Sequence, residues 1–184
     1  MRSFDLNAFK VSIQKDSTYT LGSADNLNTY DHEYRLGPDS YISSQISIRT
    51  SNAEGVIASS ILIASGGGTG VHENSALVLD SNCYMAIGPF IVCLALPNLE
   101  LIWSTEVDQA TCFGVHYSAT HNALISHGEL DIARLSMDGE IVWKSGGADI
   151  FTGDLFLKDN HIEVTDFKNR RYLLDMDSGL DVSN

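Results

Sequence analysis

Apolar and polar residues alternate in short runs along most of the chain, the two-residue period of strands with one buried face. Phe113, Val115 and Tyr117 alternate with Cys112, Gly114 and His116, and Ile162 and Val164 alternate with His161, Glu163 and Thr165. Phe4-Leu6-Ala8, Phe9-Val11-Ile13 and the pair Ile46 and Ile48 carry the pattern into the N-terminal part. No segment shows the spacing of an amphipathic helix. Ser17 to Ser40 is rich in Asp, Asn, Ser, Thr and Gly, which predicts a long loop.

The runs repeat. Gly88 and Trp103 lie 15 residues apart, as do Gly128 and Trp143, and between them Glu100, Leu101 and Ile102 match Glu140, Ile141 and Val142 forty positions later without a gap. A third, truncated copy, Arg171 to Gly179, follows Asp131 to Gly139 by 40 residues, and Ser183 takes the Trp position. Each period holds about four runs: Asp131 to Leu135, Glu140 to Trp143, Ile150 to Leu157 and His161 to Thr165 form one set. Met137-Asp138-Gly139 and Ser145-Gly146-Gly147 between them are turn signals, because their glycines tolerate positive φ. The pattern predicts an all-β chain of antiparallel sheets built from a four-strand repeat of about 40 residues, propeller-like or sandwich-like but not a full closed propeller. Trp103 and Trp143 should occupy equivalent, largely buried places.

The stretch Ile132 to Trp143, in which an apolar strand meets an Asp-Gly turn and the next strand ends on Trp, resembles the blade motif of pyrroloquinoline-quinone-like and WD-like β-propellers. The resemblance covers residues 76 to 184. It implies blade-like sheets; the basic and ring-stacking groups of cofactor-binding members have no counterpart here. One domain, 1–184, is expected, with strands and loops of 1–75 completing the core of the repeat region 76–184. Since the last copy is short, its sheet is expected to be finished by Phe4 to Ile13 and Gln45 to Ile48 or, in the alternative, by another chain.

Charge narrows the partners. Lys plus Arg number 11 against 24 Asp plus Glu, a formal charge of −13. No cation lies between Arg49 and Arg134. Such a surface argues against nucleic acid and anionic membranes and for a basic protein. The start of the chain lacks the apolar core of a secretory signal, and the longest apolar run, Val56 to Ala64, is about half of what spans a bilayer. Cys83, Cys93 and Cys112 are an odd number without a C-x-x-C pair, which suits reduced, buried thiols in a cytoplasmic chain.

Candidate chemistry is sparse. Gly66, Gly67, Gly68, Thr69 and Gly70 follow an apolar run, yet Val71-His72 stands where a phosphate loop needs Lys and Ser or Thr, so the loop reads as a connection and a candidate partner-binding loop. His72, Glu73, His116, His121, His127 and Asp131 are donor types that suit a divalent metal. Alternation puts His116 and His127 on strands and His121 in their turn. Cys112 and His116 share a face but lie about 13 Å apart along a strand, too far for a thiolate–imidazole pair. Asp175 to Asp181 resembles part of a calcium loop, although the preceding repeat makes the same turn without those acids.

The reading that follows is a non-enzymatic interaction module, monomer or homodimer, that presents acidic and glycine-rich loops to a protein, in one form an inhibitor or immunity-type protein. The alternative is a metal-dependent or hydrolytic enzyme that uses His72, Glu73 and the His116 to Asp131 segment. No cofactor is required by the sequence; a divalent cation is the one this donor set would admit.

Overall fold

A computed structural model describes residues 1–38 and 41–183. Among the described residues, sixteen strands form four sheets. The first holds β1 (Arg2–Asp5), β2 (Lys10–Lys15), β3 (His32–Leu36), β4 (Ser44–Asn52) and β5 (Gly55–Ala64) in the order β1-β2-β4-β5-β3. The second is the meander β6 (Ala76–Leu79), β7 (Asn82–Ile87), β8 (Phe90–Ala95) and β9 (Leu101–Glu106). The third repeats it with β10 (Cys112–Ser118), β11 (Ala123–Gly128), β12 (Asp131–Leu135) and β13 (Ile141–Gly146). The fourth has β14 (Phe156–Leu157), β15 (His161–Thr165) and β16 (Arg171–Asp175).

The sheets stack face to face in chain order, because each repeat sheet carries apolar residues on both faces. Ile46, Ile48 and Leu62 of the first meet Met85, Ile87, Val92 and Leu94 of the second. Tyr84, Ile91 and Cys93 on its other face meet Val115, Leu124, Ala133 and Leu135 of the third. Ile125 and Ile132 then meet Ile162, Val164 and Leu174 of the fourth. The result is an open arc of blades, all-β and propeller-like as the repeat predicts.

The chain itself covers one end of the arc. Ile61 and Ile63, on the outer face of the first sheet, are covered by Tyr19 and Tyr30 from the loop before β3. Asp16 ties that loop together by accepting bonds from Thr18 Oγ1 at 3.0 Å, Asn28 Nδ2 at 2.9 Å and the Tyr30 hydroxyl at 2.6 Å. On the outer face of the fourth sheet, Glu163 pairs with Arg171 at 2.8 Å and with His161 at 3.3 Å, and Phe156, opposite Glu163 in the ladder, is exposed beside them.

The repeat recurs in three dimensions with a detail that the ungapped comparison misplaces. The Trp103 indole N–H donates to the Met137 carbonyl at 3.2 Å, and the Trp143 N–H donates to Met176 at 2.9 Å. Each ring lies on the turn glycine of the next sheet, Gly139 or Gly179. The environments are equivalent, with Trp143 buried and Trp103 half-buried. In the inner strands, however, Cys83 faces the preceding sheet as Leu124 does, and Leu94 as Leu135 does, so equivalents there are 41 apart. A one-residue offset turns every side chain to the other face, and packing decides the register. Arg134 therefore stands opposite Trp143 where Cys93 stands opposite Trp103.

Three further expectations need correction. The N-terminal strands do not complete the last sheet: they build their own at the other end of the stack, and the last sheet gains only an isolated bridge between Leu174 and Asp181. The Ser17 to Ser40 stretch contains β3, which pairs parallel with β5 and alternates outward Glu33 and Arg35 with inward Tyr34 and Leu36. Asp39 and Ser40 lie outside the described residues. Ile150 to Leu157 is not one strand either. Phe151 bridges Asp166, Gly153 and Asp154 turn the chain, and β14 begins only at Phe156.

The Trp-on-glycine contact gives a test of the blade seam. Gly139 has φ +85°, and a Cβ there would fall 2.6 Å from the Trp103 ring. Gly139→Ala is expected to cost about 2–4 kcal/mol, from a left-handed backbone that disfavours Cβ and from overpacking. Urea denaturation would measure it, and a change below about 0.5 kcal/mol would refute the seam's role.

Candidate functional site

The meander topology sorts functional groups between the two ends of the stack. First-to-second and third-to-fourth strand turns fall at one end, and second-to-third turns with the sheet-to-sheet connections fall at the other. At the first end lie Asp80, Glu100, Asp138, Glu140 and Asp159, all exposed. The β4–β5 turn brings Glu54 to the same end, since Thr50 Oγ1 donates to the Pro97 carbonyl at 2.7 Å and the Tyr34 hydroxyl to Leu99 at 3.1 Å. An acidic rim results. The sequence shows the acids but not their gathering, which depends on strand direction.

At the opposite end the glycine loop is drawn into the seams between sheets. The Gly67 amide donates to the Ala110 carbonyl at 2.8 Å, and buried Thr69 donates through Oγ1 to Cys112 at 3.2 Å. A Cβ on Gly67 would lie 1.5 Å from Thr111 Oγ1, so the close approach requires glycine. Gly66 and Gly68 keep exposed positions, and Gly70 is half-buried.

Beside this loop a cleft of about 380 Å³ opens between β10, β11 and the segment before β14. His72 and Asn74 line it from a turn, Phe113 and Gly114 from β10, His127 from β11, and Thr152, Gly153, Asp154 and Leu155 from the facing segment. His127 is opposite Gly114 in the β10–β11 ladder and His116 opposite Ile125, so the two rings are diagonal neighbours on one face. Their centroids are 6.4 Å apart. The Phe113 edge meets the His127 ring at 5.6 Å. Burial holds both imidazoles down at pKa about 4, helped by the positive charge that His72 would carry when protonated. Both are neutral at pH 7. The Nε2 atoms of His116 and His127 are sealed from solvent and lack a hydrogen-bond partner.

The other metal candidates lie elsewhere. Glu73 is exposed on the turn next to His72. Asp131 Oδ2 pairs with Lys144 at 3.2 Å. His121 Nδ1 is 3.1 Å from the Ser118 hydroxyl, and its Nε2 is 4.0 Å from Asp177. Among the described residues no three His, Cys, Asp or Glu side chains form a ready metal site. The structure thus brings His116 and His127 together with His72 nearby and separates the rest. It adds Asn74, two residues after His72, and Asp154, from a segment remote from the histidines in sequence.

Among the described residues, the groups that invite a catalytic reading are held by other partners or buried. Ser118, His121 and Asp177 invite comparison with a triad, but Ser118 is 8% exposed and Asp177 is held 3.0 Å from Arg134. Burial pushes the thiols of Cys83 and Cys112 up to about 12 and that of Cys93 to about 11, so none is a thiolate at neutral pH. The Asp175 to Asp181 carboxylates turn to separate partners: Asp175 to Ser178, Asp177 to Arg134, and Asp181 to Leu173 and Ser183. Among the described residues no helix is long and apolar enough to cross a membrane.

No protein-family profile matches the chain, and no curated protein matches it in sequence. Solved structures do resemble it in fold. The WD40 domain of Neurospora crassa Pan2 superposes over 60% of this chain and 36% of that one, with a TM-score of 0.51 at 11% identity. The computationally designed Ika8 protein matches 82% of this chain and 50% of its own, with a TM-score of 0.53 at 10% identity. The designed Ika4 protein matches 78% of this chain and 96% of its own, with a TM-score of 0.53 at 12% identity. The chain thus spans about a third of the WD40 domain and half of Ika8.

Proposed function

We propose that this chain is a non-enzymatic protein-interaction module whose acidic rim binds a basic protein. The observation that carries the reading is the gathering of Glu54, Asp80, Glu100, Asp138, Glu140 and Asp159 on turns at one end of a rigid stack. Turns held by paired strands present charge at fixed positions, so a complementary surface docks with little ordering cost. A mask over a basic active site, as an inhibitor or immunity-type protein would provide, is one form of this function. The covered outer face of the first sheet closes that end of the stack to a second copy, and the three buried thiols suit a compartment that keeps them reduced.

The test is capture of a partner followed by reconstitution with the purified proteins. A basic protein should be retained, and raising salt from about 50 to 300 mM should weaken the purified complex at least tenfold by screening. Reversal of Glu100, Asp138 and Glu140 to Lys should weaken it further while leaving urea stability near wild type. A partner that binds with no salt dependence, or that ignores the reversal, would overturn the reading.

A further inference from the structure

The cleft beside the glycine loop lies at the end of the stack opposite the acidic rim, and its walls are preformed. The segment that faces β10 and β11 is anchored on both sides of Asp154, by fully buried Phe151 and by buried Leu155. Backbone bonds hold it further: the Phe151 amide donates to the Glu129 carbonyl at 2.7 Å, and the Gly153 amide to the Thr165 carbonyl at 3.2 Å. On the other wall the Asn74 carbonyl accepts the Val115 amide at 2.9 Å. The backbone is thus committed, while the side chains of Asn74, Thr152 and Asp154 make no hydrogen bond or ion pair among the described residues. Asp154 is an exposed carboxylate without a counter-ion there. Unused polar groups converging on one fixed cavity, with an aromatic ring among them, give the cleft the make-up of a ligand site.

We propose that this cleft binds a guanidinium group, carried by an arginine of a partner protein or by a small molecule, with Asp154 as its counter-ion and the Phe113 ring as its stacking surface. A guanidinium is planar and carries five N–H donors, so it pairs with both oxygens of a carboxylate, lies against an aromatic ring and keeps donors for further acceptors. The Thr152 hydroxyl and the Asn74 side-chain carbonyl are the acceptors that the lining offers. No Lys or Arg stands in the lining to occupy Asp154 or repel a cation, and His127, neutral at pH 7, adds no charge. An anion would meet the Asp154 carboxylate with no basic group beside it. At about 380 Å³ the cleft is larger than one guanidinium and leaves space for its alkyl chain beside Leu155. The site works apart from the acidic rim: the rim attracts a basic surface through many exposed charges, whereas the cleft reads a single group by its shape and donors.

Titration of the intact protein with N-acetylarginine amide, followed by amide and aromatic NMR, tests this. Saturable shifts of the Phe113 ring and of the Gly114 and Gly153 amides are expected, with a dissociation constant of about 1 mM or below. The neutral isostere N-acetylcitrulline amide should bind at least about tenfold more weakly. Asp154→Asn, at an exposed position that bonds to nothing in the fold, should weaken binding about tenfold with an unchanged urea midpoint, and Phe113→Leu about threefold. Reversal of Glu100, Asp138 and Glu140 to Lys should leave the shifts in place, so this site and the rim can fail independently. Methylguanidinium and a Gly-Arg-Gly peptide separate the two sources: tighter binding of the peptide assigns a partner's arginine, equal or tighter binding of methylguanidinium assigns a small molecule, and both uphold the site. Equal affinity of Asp154→Asn and wild type, equal binding of the citrulline compound, or a Phe113 ring unmoved at tens of millimolar ligand would each overturn the proposal.

Discussion

Asp108→Ala is expected to unfold at a temperature roughly 10 °C below that of the wild type, a loss of about 4 kcal/mol. Asp108 is fully buried, and its carboxylate accepts four backbone amides from two separate stretches of chain: Oδ1 takes the Ala110 and Thr111 N–H groups at 2.6 and 3.2 Å, and Oδ2 takes Leu130 and Asp131 at 2.8 and 2.9 Å. It thereby joins the link between the second and third sheets to the β11–β12 turn. Alanine removes the acceptor that these four donors share, at a place packed closely enough that a Cβ on Gly128 would come within 2.2 Å of Oδ2. Asp108→Asn keeps one oxygen and turns an NH₂ group toward the remaining donors, so about half the loss is expected. Thermal and urea unfolding of the two variants would check the order. An alanine variant within about 0.5 kcal/mol of wild type would show that the carboxylate is dispensable.

Nothing in the sequence separates Asp108 from the other acids of an acidic chain, and the reason is general. Strand alternation and the spacing of Gly and Trp report local geometry, so the all-β class, the four-strand period and the equivalence of Trp103 and Trp143 were legible. The one-residue slip between repeats was not. It arises because loops of slightly different length feed strands whose register only the facing sheet can select, and an ungapped comparison that keeps Trp103 on Trp143 hides it. In β3 the pattern was present, since Tyr34 and Leu36 alternate with Glu33 and Arg35, but five polar-rich residues inside a loop-like composition carry too little apolar content to stand out. Its partner β5 lies 28 residues away at His32–Ser60, a parallel pairing that no local signal announces.

The cleft was half legible for the same reason. His116 and His127 belong to one hairpin, so their proximity follows from strand pairing alone. His72 and Asp154 reach them only through the stacking of sheets, and Gly114 matters through what it lacks, because a Cβ there would press to 2.8 Å on the Asn74 carbonyl. His121, which sequence spacing grouped with the other two, is removed by the turn it occupies and satisfied by Ser118.

Acid should loosen the seam between the third and fourth sheets in a window set by the histidine pair. In the folded protein His116 and His127 stay neutral until the pH nears 4, whereas in the unfolded chain they take up protons near 6.5. Between those values the unfolded state binds more protons, so stability is intact above about pH 6.5 and falls as the pH drops toward 4. At about 1.4 kcal/mol per pH unit, each ring accounts for about 3 kcal/mol by the lower limit of the window, and the pair for somewhat less than twice that. The charged groups around the pair do not relieve it: Asp154 favours protonation of His127, but His116 opposes it there and His72 opposes it at both rings. Carboxylates held low by their bonds, such as Asp175 with Ser178 and Glu163 with Arg171, lose their contribution only below the ordinary carboxylate range, so the two effects separate along the pH axis. Urea midpoints at pH 7.5, 6, 5 and 4.5 should therefore fall steadily in the wild type and stay nearly level in a His116→Gln/His127→Gln double variant. A double variant that tracks the wild type through this window would show that other groups drive the acid response and that the buried imidazoles are protonated in the fold without cost.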